Sequence, residues 1–230
     1  MKNVITCKNC GTENPFYGFI CTKCNSFLRE RVVNIDFFNI LGIMIESPSK
    51  AFKKIIFAEH KNFISLVSIL ICIKLFINSL IIAPYIKQEI FGDLIINFFL
   101  EIVLFVIFIF IYSYVLKLFT LLFGNRTRLR DNFAILIYSF IPMIYALIFL
   151  FPVELILYGG SLFSNNPSPF LIKPIPSYIL TFMEAIIIIW CTTLTFFAIK
   201  VSTNLTIFSI LTSIIFVAWI NILPYIVLFL

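Results

Sequence analysis

The sequence predicts an all-α polytopic membrane protein, with five transmembrane helices behind a small N-terminal cysteine-rich module. Three observations predict it. Hydrophobic residues make up 61% of the 230-residue chain and charged residues 12%, at a mean hydropathy of +1.08, whereas soluble domains carry about 25% charged residues. Five apolar stretches are each long enough to cross about 30 Å of hydrocarbon as a helix. Cys7, Cys10, Cys21 and Cys24 gather near the N-terminus, while Cys72 and Cys191 stand alone in apolar runs. The composition excludes collagen, a disordered chain and a secreted disulfide miniprotein, and 29 Phe is more apolar surface than a 26.6 kDa globule could hide.

The first element is a module over residues 1–28. Cys7-Lys8-Asn9-Cys10-Gly11 and Cys21-Thr22-Lys23-Cys24-Asn25 are two C-x-x-C turns separated by ten residues. Each turn presents two thiolates to one ion, and a residue tolerant of positive φ after the second cysteine frees backbone N–H groups to point at sulfur. Gly11 and Asn25 suit that place. Two turns supply four sulfurs, the closed tetrahedral set of structural Zn²⁺. A four-sulfur iron centre is the alternative, and disulfides are disfavoured on a reducing cytoplasmic side. Four protein ligands leave no open position for catalysis, and so short a module needs its metal to fold.

The second element, residues 29–61, is juxtamembrane. Its apolar run Ile35–Ile45 is too short to cross a bilayer and is expected to lie on the surface. Ser47-Pro48 reads as an N-cap followed by proline at the first helical position. The helix that follows puts Phe52, Ile55, Ile56 and Glu59 on one side and Lys50, Lys53, Lys54 and Lys61 largely on another, the pattern of a basic interfacial helix on anionic lipid. The same pattern suits a stub packed on the bundle.

The third element, residues 62–230, holds spans near 63–83, 94–123, 133–158, 175–199 and 205–229. The second is long enough to tilt or project, and the connector Gly159–Pro174 reads as an irregular loop. Lys and Arg set the orientation. Lys2, Lys8, Lys23, Arg29, Arg31, Lys50, Lys53, Lys54 and Lys61 precede the first span, Arg126, Arg128 and Arg130 lie in the second connector, and Lys200 in the fourth; the first and third connectors hold only Lys87 and Lys173. The N-terminus is therefore expected in the cytoplasm and the C-terminus outside, in a cytoplasmic membrane. The sequons at Asn125 and Asn204 then face the cytoplasm and stay unglycosylated. Residues 1–34 lack a signal-peptide core, so the first span is expected to direct insertion.

Lys74 sits mid-span, where lysine costs about 2.5 to 3.5 kcal/mol on insertion scales. It needs a partner inside the bundle, with Glu184 and Glu101 as the candidates and Glu184 the favoured one. Glu101 and Glu154 lie near predicted span ends, within reach of water. A proton or ion path through Lys74, Glu101, Glu154 and Glu184 is the functional alternative to a structural pair. Pro142, Pro152 and Pro224 can kink their spans.

Enzyme classes fail on inventory. His60 is the only histidine and reads as a surface residue, so there is no His pair for a catalytic metal and no buried Ser/His dyad. No pair of aspartates falls within the spans, and no Gly-rich phosphate loop is present.

Residues Cys7 to Leu28, CKNCGTENPFYGFICTKCNSFL, resemble the short bacterial-style zinc ribbon that often heads membrane proteins, with Asn25 in place of the usual Gly. That resemblance implies a structural zinc and protein contacts. From Glu46 onward, ESPSKAFKKI, five spans, and RDNFAILIYSFIPMI opening the third resemble the YIP family of five-span membrane proteins, the Ypt/Rab-interacting proteins and their bacterial relatives. The matching positions are Pro48, Phe52, Tyr138 and Pro142. The resemblance implies a non-enzymatic role, in eukaryotes through small-GTPase partners in vesicle traffic, and no catalytic residues.

The expected function is thus a membrane scaffold or adaptor whose zinc ribbon docks a cytosolic partner. The alternative is a small-solute or ion transporter using Lys74 and Glu184. Nucleic acid is an unlikely partner: Phe16, Tyr17 and Phe19 could stack on bases, but in so small a fold they are expected to cover the metal site.

Overall fold

The computed structural model describes Asn3–Ile86 and Asp93–Phe229, so Lys2 and Lys87 lie outside the described residues. Two short strands, β1 (Val4–Thr6) and β2 (Glu13–Pro15), pair antiparallel with Val4 opposite Pro15 and Thr6 opposite Glu13. Helices α1 (Phe37–Glu46) and α2 (Pro48–Phe57) follow, then α3 (Ile64–Ile86) and α4 (Leu94–Leu122). The third span is assembled from α5 (Leu129–Tyr138), α6 (Ile141–Tyr145), a π-helical turn (Ala146–Leu150) and α7 (Phe151–Tyr158). After α8 (Pro169–Ile172) come α9 (Pro174–Thr203) and α10 (Thr206–Phe229). Five segments are long and apolar enough to cross a membrane: Ile64–Ile86, Leu94–Leu122, Leu129–Phe163, Pro174–Thr203 and Thr206–Leu228.

The chain divides into two compact units. One comprises Met1–Ile64, Ile109–Ser139 and Leu194–Ser213; the other comprises Ser65–Phe108, Phe140–Thr193 and Ile214–Leu230.

In the first unit, Asp36 caps α1 by accepting from the Asn39 N–H at 3.2 Å. Ser47 does not cap α2 through its hydroxyl; its carbonyl accepts from the Lys50 and Ala51 N–H groups instead, and Pro48 takes the first position where no N–H is needed. Ala51, Phe52, Ile55 and Ile56 are buried, each at 4% exposure or less, and α2 packs on α1 and α5. This corrects the expectation of an interfacial helix, because its apolar face is spent on protein at roughly 1.5 to 3 kcal/mol per large side chain, and none of that face is left for lipid. Lys50, Lys53 and Lys54 remain exposed on the other face. Helix α1 buries Ile40 and Met44 but leaves Phe38 and Ile45 exposed.

In the second unit, a core of Ala146, Leu150, Tyr158, Leu162 and Leu180 is flanked by Ile81, Phe151, Leu157 and Ile187. The broken third span has a backbone reason: Pro142 and Pro152 lack the N–H groups that would continue the ladder of an unbroken helix. Pro142 opens α6, and Pro152 sits just past the π-helical turn. The expected irregular connector contains a 3-10 turn over Gly159–Phe163 and the short α8.

Within the spans, hydroxyls return to the backbone of the preceding turn, as Ser113 does to Ile109, Thr192 to Ile188 and Thr193 to Ile189. Polar groups in a lipid-facing helix are thereby satisfied without a partner helix.

Candidate metal centre and buried charge clusters

The N-terminal module is two chain reversals facing each other. In each, the residue after the second cysteine adopts positive φ, +69° at Gly11 and +56° at Asn25, and its N–H closes the turn onto the Cys7 or Cys21 carbonyl at 2.9 and 3.1 Å. A third turn closes from the Gly18 N–H to the Pro15 carbonyl at 2.8 Å, and a β-carbon at Gly18 would lie 2.9 Å from that same oxygen. The sulfurs of Cys7, Cys10, Cys21 and Cys24 all fall within 4.8 Å of one another. Cys7 to Cys24 is 3.6 Å and Cys10 to Cys21 is 3.5 Å. An ion held tetrahedrally at 2.3 Å from each sulfur sets those separations near about 3.8 Å, so the set could hold one metal ion.

The surroundings favour thiolate at Cys7 and Cys24 and disfavour it at Cys10. Ser26 places its hydroxyl 3.1 Å from both Cys7 and Cys24, and that hydrogen bond with its own backbone N–H pulls the Cys24 thiol down to about 6. The Lys23 N–H and the Asn14 amide point at the Cys21 sulfur at 3.5 and 3.6 Å. Asn14 is itself held by the Thr22 N–H and hydroxyl, which donate to its Oδ1.

Side chains that the sequence does not mark as functional tie this module down. Asn3 donates from its backbone to Asn125 Oδ1 at 2.7 Å and from its amide to the Val201 and Ser202 carbonyls, while Asn125 donates to the Thr203 carbonyl at 2.6 Å. Asn125 is 1% exposed. Arg29 donates to the Gly18, Tyr17 and Phe57 carbonyls and lies 4.2 Å above the Phe57 ring. Burial, and then repulsion from Arg128, lowers its affinity for a proton. Phe16 packs on Phe57, Phe19 on Phe27, and Tyr17 lies under Arg128. The three aromatics expected over the metal site are thus used for attachment and for pairing within the module.

Beside this attachment lies a buried charge cluster, and Lys61 belongs to it. Its side chain is 3% exposed, with Nζ 3.1 Å from Asp131 Oδ1, a charge contact rather than a directed hydrogen bond. It donates to the carbonyls of Ile55, Ile56 at 3.0 Å and Ala58 at 2.7 Å. Lys61 is therefore not a lipid-surface residue: the free carbonyls at the C-terminal end of α2 attract its ammonium inward. Arg128 completes the group, donating to Asp131 Oδ2 at 2.6 Å and to the Ile56 carbonyl at 3.1 Å. Burial pulls the Lys61 ammonium down to about 8, against the opposing pull of Asp131. Next to it, Tyr138 donates to the Asn62 carbonyl.

The second unit holds a cluster of opposite sign. Lys74 is wholly buried, and its Nζ lies 2.5 Å from Glu184 Oε1 and 4.0 Å from Glu154 Oε2. Asn78 donates to the second Glu184 oxygen at 3.4 Å. Glu101 is not brought to Lys74 by any contact among the described residues; it is fully buried with neither carboxylate oxygen hydrogen-bonded. The expectation that Glu101 and Glu154 reach water is corrected, since Glu154 is only 6% exposed. His60 is exposed.

Of the positions that resemble the YIP pattern, Pro48 starts α2, Phe52 within it is at 0% exposure, Tyr138 ends α5, and Pro142 lies in the first turn of α6. The Yip1 domain family model matches residues 41–229. The chain belongs to the Yip1 domain family. The match covers α2 through α10 and begins within α1, leaving the four-cysteine module outside the Yip1 domain. No curated protein and no solved structure matches the chain. A Yip1 family membrane protein with five spanning helices fits an adaptor role, and its helices contact lipid.

Proposed function

We propose that this Yip1 protein is a non-enzymatic membrane adaptor, with Cys7, Cys10, Cys21 and Cys24 holding a structural zinc and the ribbon so formed docking a cytosolic protein. One observation carries the reading. The module is fastened to the Yip1 domain by Asn3, Arg29 and Arg128, and it leaves Ile20 and Phe27, bridged partners, at 47% and 74% exposure. A closed four-sulfur site offers no position for substrate, whereas an exposed apolar pair on an anchored module suits recognition of a protein. The excess of basic residues ahead of the first span supports a cytoplasmic N-terminus and an outer C-terminus in the cell membrane, and the exposure of Lys50, Lys53 and Lys54 supports their contact with anionic lipid.

The test is mild cross-linking in native membranes followed by purification of three proteins: the intact chain, Cys21→Ser/Cys24→Ser, and Ile20→Ser/Phe27→Ser. The cysteine variant is expected to lose bound zinc and its cytosolic partner together. The apolar variant is expected to keep zinc and lose the partner. An identical set of co-purifying proteins in all three would overturn the adaptor reading.

A further inference from the structure

The Glu154 cluster borders a cleft that the adaptor role does not use. Its volume is about 350 Å³, with walls of Leu75, Ile81, Ile82, Ile188 and Tyr225, and its polar groups are Asn78, Thr181, Asn221, Glu154 and Glu184. A second cavity of about 230 Å³ shares Ile81, Ile82, Glu154 and Thr181 with it. Together they reach the size of small-molecule sites, which are mostly apolar with a few placed polar groups. Thr181, Ala185 and Ile188 are exposed on a spanning helix, so the mouth opens on a surface that the bilayer covers.

The charge balance selects the occupant. Two carboxylates face one ammonium, and Glu184 takes Lys74 at 2.5 Å. Glu154 Oε2 is left buried, without a hydrogen bond among the described residues and 4.0 Å from Lys74. A buried carboxylate held only by a 4.0 Å contact to an ammonium already taken by another carboxylate is costly. A proton neutralises such a carboxyl but leaves the apolar cleft beside it without an occupant. A divalent ion asks for six or more oxygen ligands, more than this largely apolar lining can direct at one point. An N⁺–H group on an apolar body meets both demands: it donates to Glu154, and its chain lies along Ile81, Ile82 and Ile188.

We infer that this cleft binds a monocationic amphiphile, a primary ammonium with an alkyl chain, entering from the membrane with Glu154 as its counter-ion. Anionic and neutral amphiphiles of the same length are discriminated against, the first by charge and the second by the unmet carboxylate.

The test uses the full-length, zinc-loaded protein in a neutral maltoside detergent at pH 7, with decylamine as probe and decanol and decanoate as controls. Equilibrium binding of labelled decylamine is expected at one site per chain, about tenfold or more tighter than decanol, the difference one charged hydrogen bond makes. Glu154→Gln should reduce decylamine binding to the decanol level. Thr181→Trp, which blocks the mouth from an exposed position and leaves the carboxylate untouched, should lose decylamine binding with an unchanged thermal midpoint. Equal affinity for decylamine and decanol, or full decylamine binding by Glu154→Gln, would overturn the proposal. So would no binding of any probe, which would leave Glu154 neutralised by a proton.

Discussion

Two buried charge clusters of opposite imbalance sit in the two units of this chain, and the difference separates a clamp from a receptor. Around Asp131, two cations, Lys61 and Arg128, share one carboxylate. Around Lys74, two carboxylates, Glu154 and Glu184, share one cation. In the first, the surplus positive charge is absorbed by the protein itself, through the Ile55, Ile56 and Ala58 carbonyls and the face of Tyr17. Backbone carbonyls at a helix end are ready acceptors. In the second, the surplus is negative, and Glu154 Oε2 has no hydrogen-bond donor among the described residues, because spanning helices use their backbone donors internally. Asp131 Oδ1 and Glu154 Oε2 both lack a hydrogen bond among the described residues, but Asp131 holds cations at 2.6 and 3.1 Å whereas Glu154 has only the 4.0 Å contact; the first cluster is matched within the protein, and the second is a site.

The largest expected effect tests completeness. Asp131→Asn leaves Lys61 charged, buried and without its counter-ion, a type of change that costs about 3 to 5 kcal/mol. A drop in the thermal midpoint, with release of the N-terminal module to trypsin at Lys23 or Arg29, would register it. Lys61→Met/Asp131→Leu removes both charges and should recover most of the loss, since replacing a whole buried pair with apolar groups is often neutral. A double variant as unstable as Asp131→Asn would show that Arg128, not Lys61, depends on the carboxylate.

Proton linkage gives the next effect. Lys61 holds its proton less tightly folded, near 8, than the ordinary 10.5. At pH values between these the unfolded chain binds more protons, so stability rises with pH across that window, while below pH 8 the cost of the buried charge is present in full. Wild type measured against Lys61→Met should show this gain from pH 8 to 10.5, and a flat difference would mean that water reaches Lys61. Smaller again is Tyr138→Phe, which strands the Asn62 carbonyl and is expected to cost about 1 to 3 kcal/mol, seen as a lower denaturation midpoint.

What could be read from residue order follows from how far each signal reaches. Five spans are visible because each needs only its own apolar run, and the third span's interruptions are announced by Pro142 and Pro152. Convergence of four cysteines is visible because two local turns create it. Asn3 bonding to Asn125 and Ser202 spans 122 and 199 positions, and no local pattern marks these residues as partners. Lys61 misleads for a physical reason: at the end of a basic helix it reads as one more solvated charge, and only the packing of α2 on α5 shows that its stem is covered and its ammonium drawn to carbonyls. Glu154 misleads likewise, since a carboxylate near a span end suggests water until the surrounding wall is known.

The smallest expected effect is the sharpest separator of the two clusters. Glu154→Gln removes a charge that no described group hydrogen-bonds through Oε2, keeps the shape of the side chain, and leaves Lys74 its 2.5 Å contact with Glu184. If the second cluster is a site awaiting a cation, the ligand-free protein should change by less than about 1 kcal/mol, or become more stable, as happens when an unpaired buried polar group is relieved. If it is instead a clamp like the one at Asp131, Glu154→Gln should cost as much as Asp131→Asn. Thermal midpoints of the two variants in the same detergent decide between these outcomes, because both substitutions replace one buried carboxylate by its amide and differ only in whether the surrounding protein has already matched the charge.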